Sequence, residues 1–570
     1  MKKRNFFALL TVTATLLSSC GGLNKMQEMA KDVSYKVTPQ VLEERGDKVD
    51  VKIDVAYPAK YFNKSAILTA TPVLKYDGGE TAFPAKKVQG EKVEANNQVI
   101  SADGGSVSYT GTVPFSADMM KSDLVIRVNA ELKGKSLTFE DYKIAEGVLA
   151  SSKLVVVDPK PIMVGDKFQR IIPDEYDADI HYIINRSDVR MSELKQEDIT
   201  GLADYIKQAE ANERVDLKGV KLSAYASPDG ALDLNDKLAQ RRQASAERFF
   251  KNETKKAKIE AAAKEGFLAM NYTAEDWEGF KKLMEGSNIQ DKELILRVLS
   301  MYSDPVVREK EIKNLSAAFE VIAEEILPQL RRSKFVVNVD KIGYSDDEIK
   351  QIWSSDPDKL NLEEILYAAT LYDDLDTKLA IYKKASDNNP KCFRAINNVG
   401  YVYVLKGDAD KAQKAFEKAK GMMDNDVVNN NLGVVALMKG DVDKAEQLFS
   451  SSTGAGDAVN YNLGIVKVMK GDYDAAASYF GNTNTVNTAL VKLLKDDLNG
   501  AMATINKVDS DCAKKDYVKA VIAANQDKED VALQSLKAAV EKSKELKARA
   551  KVDMEFAKYF ENASFKSLVE

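Results

Sequence analysis

At 570 residues the chain is too long for one hydrophobic core, and three or four domains are expected. Charged residues make up 30% and hydrophobic ones 44%, an ordinary soluble balance, and a formal net charge of -6 argues against nucleic-acid binding. The single histidine, His181, argues against a His-built metal site and against histidine-driven hydrolysis.

The first residues read as an export signal. Lys2, Lys3 and Arg4 precede an apolar run from Phe6 to Leu17 that is too short to span a bilayer. Leu17-Ser18-Ser19-Cys20 and two glycines come next. This resembles the lipobox of bacterial lipoproteins of the Bacteroidetes type, and the resemblance implies a signal peptide over residues 1–19 and acylation of the Cys20 thiol. Each buried acyl methylene contributes about 0.8 kcal/mol, so several chains on one residue anchor stably in outer-membrane lipid. The alternative is an ordinary secretory signal in which Cys20 is incidental. Surface-exported lipoproteins of that group carry acids directly after the cysteine, whereas the first acid here is Glu28. The expected location is therefore the periplasmic side of the outer membrane. Cys392 and Cys512 lie far apart in helical patterns and are expected as buried free thiols rather than a disulfide.

Residues 20–34 read as a lipidated tether. From 35 to 157 the hydrophobic period is two: Val49, Val51, Ile53 and Val55 alternate with Asp50, Lys52 and Asp54, and the run Leu124 to Leu132 alternates likewise. Turn signals at Asp77-Gly78-Gly79 and Asp103-Gly104-Gly105 separate such runs. The pattern predicts an antiparallel β-sandwich of about seven strands acting as a spacer or adhesion module.

Residues 158–345 predict an α/β domain. A strand over Ile180–Ile184 leads to a helix over 196–209, then a strand over Lys218–Tyr225. A Ser227-Pro228-Asp229-Gly230 turn and a helix carrying Arg241 and Arg242 follow. An insertion of helical periodicity, about 253–333, separates them from a last strand over Phe335–Val339.

Residues 346–570 predict an all-α solenoid. Lys406-Gly407-Asp408, Lys439-Gly440-Asp441 and Lys470-Gly471-Asp472 recur between helical segments, with Gly400, Gly433 and Gly464 upstream and Phe416, Phe449 and Phe480 downstream. The small residues admit close helix contact and the aromatic fills the remaining gap. Five positions in register resemble the tetratricopeptide repeat, and weaker copies flank them at Tyr372–Pro390, Asp497–Ile505 and Asp530–Val540.

Gly230, Asn235, Leu238, Arg241 and Arg242 fit the frame G-x4-N-x2-L-x2-R-R. In this frame the α/β region resembles the OmpA-like C-terminal domain, which grips peptidoglycan. The resemblance implies that Arg242 forks the carboxylate of diaminopimelate, with the helix start near Asn235 assisting. The family's aspartate falls on Ser227, which cannot neutralise an ammonium, and Asp229 is the anion at hand in the same turn. The other reading is a docking platform that keeps the fold without the ligand.

Enzyme motifs are weak. Ser192-x-x-Lys195 and Ser386-Asp387-Asn388 match two penicillin-binding boxes, but they fall in different domains and no Lys-Thr-Gly follows. No cofactor motif is present. Two non-enzymatic readings remain open. One is an envelope tether with lipid at Cys20 and peptidoglycan at Arg242. The other is an assembly factor that binds an envelope protein through residues 360–570.

Overall fold

The computed structural model describes residues 22–314 and 316–570, so Cys20 and the lipobox lie outside the described residues. The chain forms two compact units. One joins the residues up to Gly165 with Asp373–Glu570, and the other is Asp166–Tyr372. Residues 158–165, expected in the α/β domain, thus belong with the repeats, and 346–372, expected in the repeats, belong with the α/β unit.

In the first unit a five-stranded and a seven-stranded sheet face each other across one core. The strands Lys48–Tyr57 and Gly105–Pro114 pair antiparallel in one sheet, and Ala66–Tyr76 pairs antiparallel with Ser122–Leu132 in the other. The expected seven strands become twelve, because short arms such as Gly79–Ala82 and Lys135–Thr138 are too brief to show an alternation. Inward residues Val51, Ile53, Leu124 and Ile126 are buried, as their alternation requires. The expected tether is not a free segment: residues 22–28 are helical, and Leu23 and Met26 are 2% and 1% exposed within the sandwich core.

The sandwich has two distinct ends. At one, Ala66 pairs with Leu132, and at the other Tyr76 pairs with Ser122. Ten residue steps of about 3.3 Å place these ends about 33 Å apart. The C-terminal repeats meet the second end. The Arg45 guanidinium lies 4.8 Å over the Tyr473 ring, and Arg549 donates a 2.8 Å bond to the Ala150 carbonyl.

The second unit is a four-stranded mixed sheet in the order Ile171–His181, Arg332–Ile342, Val215–Tyr225, Leu268–Thr273. Helices Glu197–Ala211 and Leu232–Ala257 bury Ile199, Leu202, Ile206, Ala246 and Phe250 against Val220, Leu222, Phe335 and Val337. Two expectations are corrected. The first strand ends at His181, and Ile183 and Ile184 are exposed beyond it. The insertion also contributes an edge strand, Leu268–Thr273, parallel to Val215–Tyr225. Its mostly exposed side chains gave no inward alternation to read. The insertion's helices from Trp277 to Leu330 close around their own core of Phe280, Met284, Ile295 and Leu299.

Five helix pairs make up the repeats: Phe393–Leu405 with Ala409–Lys420, Asp426–Met438 with Val442–Ser450, Asp457–Met469 with Tyr473–Phe480, Val486–Leu494 with Leu498–Ile505, and Ala513–Asn525 with Glu529–Lys542. The turn position is left-handed in each, at Gly407, Gly440 and Gly471 (φ 76°, 81° and 76°) and then at Asp496 and Asp527 (φ 59° and 56°). Aspartate tolerates that conformation less well than glycine, which is why the later copies look weak in sequence. Asp408, Asp441, Asp472 and Asp497 cap the second helix of their pairs by accepting a main-chain N–H. Cys392 and Cys512 precede the first helices of two pairs. They are free, as expected, but half-buried rather than buried.

The recurrent glycines leave room for an aromatic of the same pair. A Cβ on Gly400, Gly433 or Gly464 would stand 2.6, 2.7 or 2.5 Å from the rings of Phe416, Phe449 and Phe480. Gly433→Leu therefore overpacks the pair, and urea denaturation is expected to show a loss of about 1–3 kcal/mol with unchanged helical content.

Candidate functional site

The first helices of four repeat pairs carry a row of buried asparagines. Asn398, Asn431 and Asn462 each stand two residues before the repeat glycine on the first helix of a pair, and Asn487 takes the equivalent place in the fourth pair. None of the four is more than 1% exposed. What covers them is the chain's own segment 155–165, which leaves the sandwich and runs extended along the groove.

Each asparagine grips both main-chain groups of one strap residue. Asn487 accepts from the Val156 N–H at 2.8 Å and donates to the Val156 carbonyl at 2.8 Å. Asn462 does the same for Lys160 (2.6 and 3.0 Å), Asn431 for Ile162 (2.7 and 2.8 Å) and Asn398 for Val164 (2.9 and 2.8 Å). A second rank, Asn430 and Asn397, donates to the carbonyls of Lys160 and Ile162. The ranks are tied sideways, Asn431 to Asn397 at 2.9 Å and Asn462 to Asn430 at 3.0 Å. Tyr461 donates to Asp158 at 2.7 Å, and Lys514 to the Val155 carbonyl at 2.7 Å. Burial, and then the Asp158 contact, hold the Tyr461 phenol well above its ordinary range, and burial pulls the Lys514 ammonium down.

The strap sequence suits this grip. Pro159 and Pro161 lack an N–H and alternate with Lys160 and Ile162, whose N–H groups are clamped. Proline also drives the residue before it into extended backbone, which preforms the line of donors. A carboxamide carries an acceptor oxygen and two N–H donors in one plane, so one donor and the oxygen take the strap's main chain while the second donor ties the ranks together, and the ladder is indifferent to side-chain identity. Val157 and Met163 accordingly remain 45% and 38% exposed.

The residues singled out for peptidoglycan lie in the α/β unit, and the structure brings three of them together. Ser227 donates to Asp229 at 2.5 Å, and Asn235 donates to the carbonyls of Ser227 and Gly230 at 3.1 and 3.0 Å, fastening the turn. The Asp229 carboxylate accepts from Arg331 at 3.0 Å, a partner that sequence reasoning did not weigh. Arg331 also donates to the Ser227 hydroxyl at 3.2 Å. Arg242 is fully buried. It donates to the carbonyls of Arg186, Tyr225 and Ile183 at 3.1, 2.8 and 3.4 Å and lies 5.1 Å over the Tyr182 ring. Burial brings its guanidinium down to about 10, still charged at neutral pH. In this arrangement Arg242 secures the loop after the first strand to the end of the second. Arg241 is exposed.

No protein-family model matches the chain, and comparison with curated proteins gives no match. Among solved structures it is similar to a tetratricopeptide repeat protein of Parabacteroides merdae, 18% identical over 37% of this chain and 91% of that one, with a TM-score of 0.29. It is also similar to pilF of Pseudomonas aeruginosa, 15% identical over 34% and 92% of the two chains, with a TM-score of 0.28. A third, YrrB, is described as a tetratricopeptide repeat protein with an unusual peptide-binding site; it is 22% identical over 35% and 94%, with a TM-score of 0.21. The repeat assignment rests on the turns, the glycine–phenylalanine pairs and their register within this chain.

Removing the clamp at Ile162 breaks the bond from its main-chain N–H to Asn431, while its carbonyl keeps the bond from Asn397. Asn431→Ala and Ile162→Pro are each expected to lower stability by about 1–3 kcal/mol and to expose the strap to limited proteolysis, whereas Pro161→Ala, which removes no donor and only frees the backbone, costs less than about 1 kcal/mol and leaves the strap protected.

Proposed function

We propose that the protein is a non-enzymatic scaffold of the bacterial envelope, held by acylated Cys20 on the periplasmic side of the outer membrane, with repeats that serve protein–protein assembly. The observation that carries this reading is the asparagine ladder, a surface organised to hold polypeptide main chain rather than to position reacting groups. Its groove is filled from within, so a separate envelope protein meets the repeats on their outer helices. This favours the assembly-factor reading over a plain tether.

Peptidoglycan binding by the α/β unit has less behind it. The guanidinium that would fork a carboxylate donates to three carbonyls, and the anion that would take the ammonium is held by Arg331. Co-sedimentation with isolated sacculi is expected to leave the full chain in the supernatant; a wild-type pellet lost in Arg242→Lys would restore the tether reading.

Affinity capture from envelope extracts is expected to recover a discrete protein partner with the full chain and to lose it when residues 373–570 are deleted, provided the remaining sandwich and α/β unit keep their circular dichroism. Cys20→Ala is expected to move the protein to the soluble periplasmic fraction. A variant that still floats with outer membranes removes the anchor from this reading, and capture indifferent to the deletion removes the repeats.

A further inference from the structure

The end of the β-sandwich at which Ala66 pairs with Leu132 is where the described chain begins. Gly22 is seated on it: a Cβ there would stand 3.0 Å from the Asn63 side chain and 3.2 Å from Leu132. Leu23 and Met26 then enter the core at 2% and 1% exposure. Cys20 precedes Gly22 by two peptide units, a reach of at most about 7.6 Å between Cα atoms.

The surface at that end is formed by turns that hold one another. Lys60 donates its main-chain N–H to the Ala102 carbonyl at 2.7 Å, and Lys92 donates to the Lys64 carbonyl at 2.7 Å. Lys60, Lys64, Lys92 and Lys133 are exposed there, together with Glu91, which lies 3.5 Å from Lys64, and Asp103. Exposed ammonium groups are attracted to lipid phosphates, most strongly where the headgroups are anionic. The opposite end, about 33 Å away along the strands, carries Glu44, Arg45, Ala150 and the contacts to Tyr473 and Arg549.

We propose that the Ala66–Leu132 end of the sandwich rests directly on phospholipid headgroups, so that the sandwich is a fixed-height spacer between the membrane and the repeats. The inference rests on the Cys20 anchor proposed above and adds to it the docked surface and its occupant.

The test uses the full lipidated chain with Cys392→Ser and Cys512→Ser, carrying a fluorophore on either Lys92→Cys or Asp77→Cys. Asp77 is exposed beside Tyr76, at the far end. The protein is reconstituted in vesicles of phosphatidylethanolamine and phosphatidylglycerol that contain a headgroup-bound quencher. Fluorescence at Lys92→Cys is expected to fall several-fold and that at Asp77→Cys to stay unchanged. Equal quenching at both sites, or none at either, overturns the docked end, because a sandwich swinging on a tether averages the two. Metabolic labelling with an alkyne fatty acid is read on the same samples. Labelled protein with an unquenched Lys92→Cys defeats this inference alone, and unlabelled protein defeats the anchor and this inference with it.

Discussion

A carboxamide on a helix can do for a passing strand what a neighbouring strand does in a sheet: accept its N–H and donate to its C=O. Asn398, Asn431, Asn462 and Asn487 do so in succession, and the first unit takes its form from that match. Without the strap, the buried amides would face an empty groove, and the linker leaving the sandwich would carry its N–H groups into water. With it, a segment that has no sheet of its own has its polar groups satisfied, and the sandwich and repeats share one compact body. Each bond is individually modest, about 0.5–1.5 kcal/mol net, but they add along a line whose geometry the repeats set.

The repeats carry a second line of matched groups on the turn edge. Lys406 reaches back to Asp376 in the first turn of the helix Leu375–Asn388, which precedes the first pair, and Lys439, Lys470 and Lys495 reach back to Asp410, Asp443 and Asp474 in the first turn of the preceding outer helix, all at 2.6–2.7 Å. These pairs are exposed and contribute little singly. Their regularity follows from the same spacing that places the asparagines, so one repeat length organises a polar edge in solvent and an amide ladder under cover.

The repeats were legible because their marks are local. A left-handed turn wants glycine, a capped helix wants aspartate, and a close helix pair wants a small residue opposite an aromatic; all three fall within one repeat. The sandwich was legible as alternation, although its short arms were not. The strap was not legible: in sequence Asp158-Pro159-Lys160-Pro161 reads as the start of the α/β domain, because its partners lie in another part of the chain. The asparagines were in plain view beside the repeat glycines, as Asn398-Val399-Gly400 and Asn431-Leu432-Gly433, but a polar residue on a helix reads as solvated until something is known to cover it. The helix motif around Arg242 showed a similar limit. The frame identifies the residue type, but not that the carbonyls of Ile183, Arg186 and Tyr225 take up its donors.

The order of the chain has a consequence for how the molecule is made. The strap is translated before its groove: Val164 precedes Asn398 by 234 residues, and Val156 precedes Asn487 by 331. The whole α/β unit is synthesised in between. A polypeptide that emerges from its N-terminus therefore completes the sandwich and then the α/β unit while the strap still waits for a partner. Contacts of such high sequence separation form late, because the loop between them must close first. The seating of a segment synthesised when less than a third of the chain existed thus has to wait for the repeats that are synthesised last.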